Sequence, residues 1–263
     1  MQNVHVVTYD TGAATHVGKV RQRNEDSYLA RPEAGIWAVA DGMGGHESGD
    51  LASQTVIASL QSIAAPHSAA DLLSSCEDGV ATANGRLREI SRARGGVVIG
   101  ATLAVLLAFD GYYACVWSGD SRIYVVRDGE IEQLSRDHTE VQELLVNGVI
   151  TEEEAKTWAG SNVITRAIGV FDEPELEITS GPLHPGDIFI ICSDGLNRHV
   201  EDYEIRDLAS TKTPQQACDD LIALTLERGG SDNVTIVVAR YMPEFAPPTN
   251  WDAEQSTPPE VRG

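Results

Sequence analysis

The stretch VVIGATLAVLLAFDGYYACVWSGDSRIYVVRDGEIEQL, residues 97–134, decides the fold class of this 263-residue chain. Four runs rich in apolar, β-branched and aromatic residues (97–109, 112–118, 122–126 and 130–134) follow one another, and Asp110-Gly111 and Asp128-Gly129 mark two of the junctions. Asp-Gly readily takes the positive φ angles of a two-residue hairpin loop, so the runs fold back on each other as antiparallel strands. Parallel strands would need a crossover of about a dozen residues or more between them, and no junction here is that long.

Outward from this meander the pattern alternates in blocks. On the N-terminal side, strands are expected over residues 4–14, 27–30 and 35–41. Two helices follow, over 47–64 (Ala52, Val56, Leu60 and Ile63 at helical spacing) and 69–93 (Leu72, Leu73, Val80, Leu87, Ile90). On the C-terminal side come short helices over 139–147 and 151–158, the second opening with the capping box Thr151-x-x-Glu154. Strands over 176–179 and 187–192, helices over 202–210 and 213–228 and a strand over 233–240 complete the order. This is not βαβα alternation, so a doubly wound parallel sheet is disfavoured and a layered α+β domain is expected. The domain is expected to occupy residues 1–241. Residues 242–263 hold five of the eleven prolines and read as a disordered tail.

Apolar residues make up 42% of the chain, enough for a substantial core, and charged residues 22%. No run approaches the ~18–20 apolar residues that cross a bilayer. Residues 1–10 lack a basic segment followed by an apolar block, so no signal peptide and a cytoplasmic location are expected. Cys76, Cys115, Cys192 and Cys218 are far apart without CxxC spacing, which argues against zinc or disulfides and for buried thiols. The net charge of −21 makes nucleic acid and anionic membranes poor partners.

Five acidic motifs share one design: Asn24-Glu25-Asp26, Asp41-Gly42-Met43-Gly44-Gly45-His46, Gly119-Asp120-Ser121-Arg122, Ser193-Asp194-Gly195 and Gly230-Ser231-Asp232-Asn233. Almost wholly apolar runs lead into Asp41, Asp120 and Asp194, so each carboxylate stands where a buried strand emerges. Alone, each motif is an ordinary turn. Gathered at one sheet end, the carboxylates would repel one another and lose hydration unless a hard divalent cation offset both effects.

In this order the motifs resemble the type 2C (PPM) family of metal-dependent serine/threonine phosphatases, in their bacterial form. The resemblance also rests on Gly18-x-x-Arg21, Gly100-x-Thr102, Asp137-His138 and Ile164-Thr165-Arg166-Ala167-Ile168-Gly169, and runs from Gly18 to Thr235. It implies a four-layer α-β-β-α sandwich of two antiparallel sheets flanked by helix pairs. It further implies two Mn²⁺ or Mg²⁺ ions, with Asp41 bridging them, the Gly42 carbonyl on one, and Asp194 and Asp232 on the other. Glu25 and Asp26 would reach the metals directly or through water, and Asp120 with Asp194 would support a weaker third ion. Arg21 would grip the substrate phosphate, and residues 137–168 would form a flap beside the site. The flap stretch Trp158-Ala159-Gly160-Ser161-Asn162 lacks the basic residue that many bacterial relatives carry there.

The implied reaction is hydrolysis of phosphoserine and phosphothreonine in proteins by a metal-activated water, with no phosphoenzyme. The implied partners are phosphoprotein substrates and a cognate Hanks-type kinase, and the chain is expected to be a monomer. Residues 35–54 resemble the members that oppose such a kinase in type VI secretion. The alternative is a pseudophosphatase that binds phosphoproteins; it predicts loss of metal aspartates, yet Asp41, Asp194 and Asp232 are all present. Met43 stands where eukaryotic relatives have a histidine, so the general acid is unassigned, with His46 as a candidate. Cys192 and Arg198 have the Cys-x5-Arg spacing of cysteine phosphatases, but Asp194 inside that loop would repel a phosphate.

Overall fold

The computed structural model describes residues 7–44, 48–155, 158, 160 and 163–243. Strands β1 (Val7–His16), β2 (Asp26–Arg31) and β3 (Ile36–Gly44) precede helices α1 (Gly49–Gln61) and α2 (Ala69–Ala93). Five strands follow: β4 (Ile99–Ala101), β5 (Leu103–Phe109), β6 (Tyr112–Ser118), β7 (Arg122–Arg127) and β8 (Glu130–Gln133). Short helices α3 (Glu140–Val146) and α4 (Glu152–Ala155) lead to β9 (Glu177–Pro182) and β10 (Ile188–Cys192). The chain then forms α5 (Asp194–Asn197), α6 (Asp202–Thr211), α7 (Pro214–Glu227) and β11 (Val234–Pro243).

The strands form two antiparallel sheets. One runs β1-β11-β10-β7-β8; the other runs β2-β3-β5-β6-β9, with β4 paired to β3. Asp110-Gly111 and Asp128-Gly129 take positive φ at all four residues (46°, 79°, 53° and 82°), as the hairpin reading requires.

Three apolar clusters separate four layers. Alternate residues of β3 divide between two of them: Ile36, Ala38 and Ala40 pack under α1 and α2, whereas Trp37 and Val39 enter the gap between the sheets. On β10, Phe189 and Ile191 face the same gap, while Ile188, Ile190 and Cys192 pack against the α5–α7 side. A strand buried on both faces has no polar side, which explains the unbroken apolar runs that lead into the acidic motifs. The expected four-layer α-β-β-α sandwich is the observed architecture. All four cysteines are buried and free.

Several boundaries differ from the sequence reading; α1, for one, ends at Gln61 rather than at 64, and β1 reaches His16 rather than 14. The run 97–109 is two strands, because opposite Asp41 the Thr102 hydroxyl, rather than its main-chain carbonyl, accepts the Asp41 N–H and interrupts the ladder. The segment 194–197, read as a turn, is a helical turn. Met242 and Pro243, assigned to the tail, continue β11 opposite Thr8 and Val7, so the pairing partner extends the strand past its own apolar pattern. Residues 244–263 of the expected tail lie outside the described residues. The capping box on α4 is present: Thr151 N–H donates to Glu154 Oε2 at 2.8 Å, and Glu154 N–H donates back to Thr151 Oγ1 at 3.3 Å.

Candidate metal centre and active-site cleft

The acidic motifs meet at one end of the sandwich. Asp41 lies near the end of β3, and Asp26 opens β2 as its direct register partner. Asp120 occupies the β6–β7 turn, Asp194 starts α5 immediately after β10, and Asp232 precedes β11. Glu25, Asp41, Asp120, Asp194 and Asp232 line a cleft of about 340 Å³, together with Arg21 and the Gly42 backbone. A hollow of about 410 Å³ between the start of α2 and β5, β6 and β9 is lined by residues such as Leu72, Phe109 and Tyr112 and by no charged group.

Backbone contacts fix this end. Gly42 N–H donates to the Glu25 carbonyl at 3.0 Å, and a Cβ on Gly42 would lie 1.9 Å from the Gly49 carbonyl oxygen, so only glycine fits. Asp41 is held through its main chain: its N–H donates to Thr102 Oγ1 at 3.0 Å, and Thr102 N–H donates to its carbonyl at 2.8 Å. Asn233 stitches the far wall, accepting from Glu25 N–H at 2.8 Å and donating to the carbonyls of Val17 and Arg23. On the remaining side, Thr139 and Ile164 form a bridge and Ile164 lines the cleft.

The electrostatics are those of crowded carboxylates. Burial first, then Asp26, Asp194 and Asp120, hold the Asp41 carboxyl well above its ordinary range. Burial raises Asp120 to about 7, with Asp194 adding to it. Burial also raises Asp26 to about 6 against the hydrogen bonds it accepts, and raises Glu25.

Two arginines provide the local counter-charge. The Arg21 fork holds Asp232 at 2.8 and 2.9 Å, and Arg198 pairs with Asp194. Asp194 Oδ1 and Asp26 Oδ1 are buried without a hydrogen-bond partner. Among the described residues, no three Asp, Glu, His or Cys side chains are closed into a ligand cage. The donor chemistry nevertheless fits a hard divalent cation: among the described residues five carboxylates line the cleft, one of their buried oxygens is left unpartnered, and no His or Cys lines it.

Of the residues singled out in the sequence, Arg21, Glu25, Asp41, Gly42, Asp120, Asp194 and Asp232 are brought together. Asp26 is not at the cleft wall. It lies beneath, where Ser193 Oγ and Thr235 Oγ1 both donate to its Oδ2 at 2.7 Å. His46 lies outside the described residues. Burial pushes the Cys192 thiol up to about 12, against a role as nucleophile.

Sequence reasoning missed one residue. Arg198, considered only as part of a cysteine loop, lines the carboxylate cleft. The i,i+4 spacing of Asp194 and Arg198 was the available signal for it. His199, read as surface or structural, is structural: it holds the loop before Asp232 by accepting from Ser231 N–H at 3.2 Å.

The sequence profile of protein phosphatase 2C matches residues 15–233. Serine/threonine protein phosphatase PstP of Mycobacterium tuberculosis is 36% identical over 253 residues, 93% of this chain and 49% of PstP, so the chain spans about half the length of that relative. Among solved structures, PppA, a key regulatory component of T6SS in Pseudomonas aeruginosa, is 42% identical with a TM-score of 0.84, covering 89% of this chain and 98% of PppA. The catalytic domain of PstP in complex with two manganese ions is 36% identical with a TM-score of 0.82, covering 90% of this chain and all of that domain. With the profile spanning most of the sequence and the same sandwich in these relatives, the chain belongs to the protein phosphatase 2C family.

Proposed function

We propose that this chain hydrolyses phosphoserine and phosphothreonine esters in proteins at a centre of two Mn²⁺ or Mg²⁺ ions. The observation that carries this reading is the convergence of Asp41, Asp120, Asp194, Asp232, Glu25 and Gly42 on one cleft shared with Arg21. Bound there, divalent ions supply Lewis acidity, neutralising phosphoryl oxygens and activating water as the nucleophile. Asp41, Asp194, Asp232 and the Gly42 carbonyl would hold the pair, with Glu25 at its edge and Asp120 beside Asp194 as a seat for a weaker third ion.

The remaining work falls to the chain's own groups. Arg21 brings a planar donor fork to the mouth of the cleft, suited to the non-bridging oxygens of a phosphate. Thr102 keeps the Asp41 backbone from shifting. Asp26, beneath the wall, acts by holding Ser193 and Thr235 rather than by reaching the substrate. A binding-only pseudophosphatase finds no support in a cleft that keeps all three core metal aspartates.

We also propose that the chain opposes a Hanks-type kinase, and that its pathway is type VI secretion, as supported by its 42% identity to PppA. Phosphate release from a phosphothreonine peptide, with and without Mn²⁺, tests the chemistry. Activity should require the metal and be lost in Asp41→Asn and Asp232→Asn; turnover that survives EDTA or both substitutions would sink the two-metal reading.

A further inference from the structure

Arg198 caps α5 one turn after Asp194, and its Nε donates to Asp194 Oδ2 at 3.1 Å. Its Nη2 pairs with the same oxygen and lies 3.9 Å from Asp232 Oδ2. Arg21 approaches from the loop between β1 and β2, and its Nη2 donates to that Asp232 oxygen at 2.9 Å. Both guanidinium groups therefore reach one carboxylate oxygen, which places their Nη2 atoms no more than about 7 Å apart. A phosphate that accepts one hydrogen bond from each, on two of its oxygens, spans about 8 Å at most.

The remaining donors are open. Nη1 of Arg21 and Nη1 of Arg198 make no hydrogen bond among the described residues. The two side chains are 53% and 33% exposed, so both combine a fixed inner edge with a free outer one. Charge points the same way. Among the described residues, five carboxylates line the cleft against these two arginines. With two divalent ions bound, these described groups carry one net positive charge if Arg198 is present and none without it, and an incoming phosphate dianion responds to that difference.

We propose that Arg198 is a second phosphate-binding arginine, paired with Arg21 across the cleft mouth, and that it sets affinity for the phosphoester group. The inference deepens the proposed function and rests on it. Arg21 alone would present one fork to a tetrahedral anion; the pair contacts it from two walls, one built by the β1–β2 loop and one by α5.

The test compares the Mn²⁺-loaded wild type with Arg198→Gln and Arg198→Lys. It uses phosphothreonine-peptide kinetics, calorimetric titration with inorganic phosphate, and a separate Mn²⁺ titration of each protein. Arg198→Gln should raise KM and the phosphate Kd together by about tenfold or more, the loss of a charge-assisted hydrogen bond, with a much smaller effect on kcat. Its Mn²⁺ isotherm should shift less than its phosphate Kd, and toward tighter binding, because the cation removed is bonded to Asp194. Arg198→Lys should recover part of the affinity, because an ammonium restores the charge but not the fork. An unchanged phosphate Kd overturns the proposal, and so does a shifted Mn²⁺ isotherm with phosphate affinity intact, which would make Arg198 only the counter-ion of Asp194. If the wild type binds Mn²⁺ and phosphate yet hydrolyses no phosphopeptide, the proposed function fails while the phosphate titration still decides the role of Arg198.

Discussion

Asp26 and Asp41 are direct cross-strand partners on β2 and β3, and their carboxylates leave the sheet on the same face. That face is the one from which Trp37 and Val39 enter the gap between the sheets. Asp41 lines the cleft, whereas Asp26 lies deeper, tied to Ser193 and Thr235 of the opposite sheet. One register pair thus supplies a cleft wall and a tie between sheets.

The two carboxylates should therefore fail differently. Asp26→Asn keeps an acceptor for the two hydroxyls and should stay within about 1 kcal/mol of the wild type in urea unfolding, whereas Asp26→Ala should lose about 1–3 kcal/mol. Asp41→Asn should leave stability nearly intact and remove Mn²⁺ binding in a calorimetric titration. Loss of metal binding in Asp26→Asn equal to that in Asp41→Asn would show that both side chains are ligands.

The Thr102 hydroxyl accepts from Asp41 N–H and lies 2.7 Å from Ser121 Oγ. Thr102→Val leaves a buried N–H unpaired and should cost about 1–3 kcal/mol in urea unfolding. Thr102→Ser should restore both stability and Mn²⁺ affinity. If valine is tolerated on both measures, the hydroxyl is not what anchors Asp41.

Cys192 offers a check on the reaction type. Its side chain is fully buried on the α5–α7 side, and burial drives its thiol up to about 12. Cys192→Ala should keep turnover within about twofold, and the native protein should resist thiol reagents. Abolished turnover in a folded Cys192→Ala protein would revive a thiol nucleophile.

His138 makes stability depend on pH. Its Nδ1 accepts from Gly119 N–H at 3.1 Å, its own N–H donates to the Gly119 carbonyl at 2.9 Å, and its ring stacks on Trp117. Burial first, then Arg166, lower its pKa below the ordinary value. The unfolded chain therefore binds this proton more readily, so stability from His138 is full above about pH 6.5 and falls as pH drops below it. The thermal midpoint should decline from pH 7 to 5.5, and the decline should be shallower in His138→Asn. Parallel profiles for the two proteins would clear His138 of the effect.

Much of this arrangement was legible in the chain because it is written in short-range patterns. Asp110-Gly111 and Asp128-Gly129 encode hairpins by backbone preference alone, and the apolar runs before Asp41, Asp120 and Asp194 encode strands buried on both faces. Helix α2 starts and stops where its periodicity does. The break at Thr102 was not legible, since threonine suits a strand interior and only its bond to Asp41, 61 positions away, takes it out of the ladder. Met242 was misplaced for the related reason that its strand character comes from pairing with Thr8.

The sequence by itself determined a layered α+β domain, the antiparallel sense of the strands and the set of carboxylates placed at strand ends, while the four-layer order followed from the family resemblance. The former follow from turn preference and from unbroken apolar runs, which act over a few residues. Only the tertiary structure decided which carboxylate lies beneath and which at the wall, that Arg21 meets Asp232 across 211 positions, and that Arg198 stands beside them. Those outcomes depend on the depth and facing of groups from different strands. Burial and charge proximity are properties of the packed sheets, and no local pattern records them.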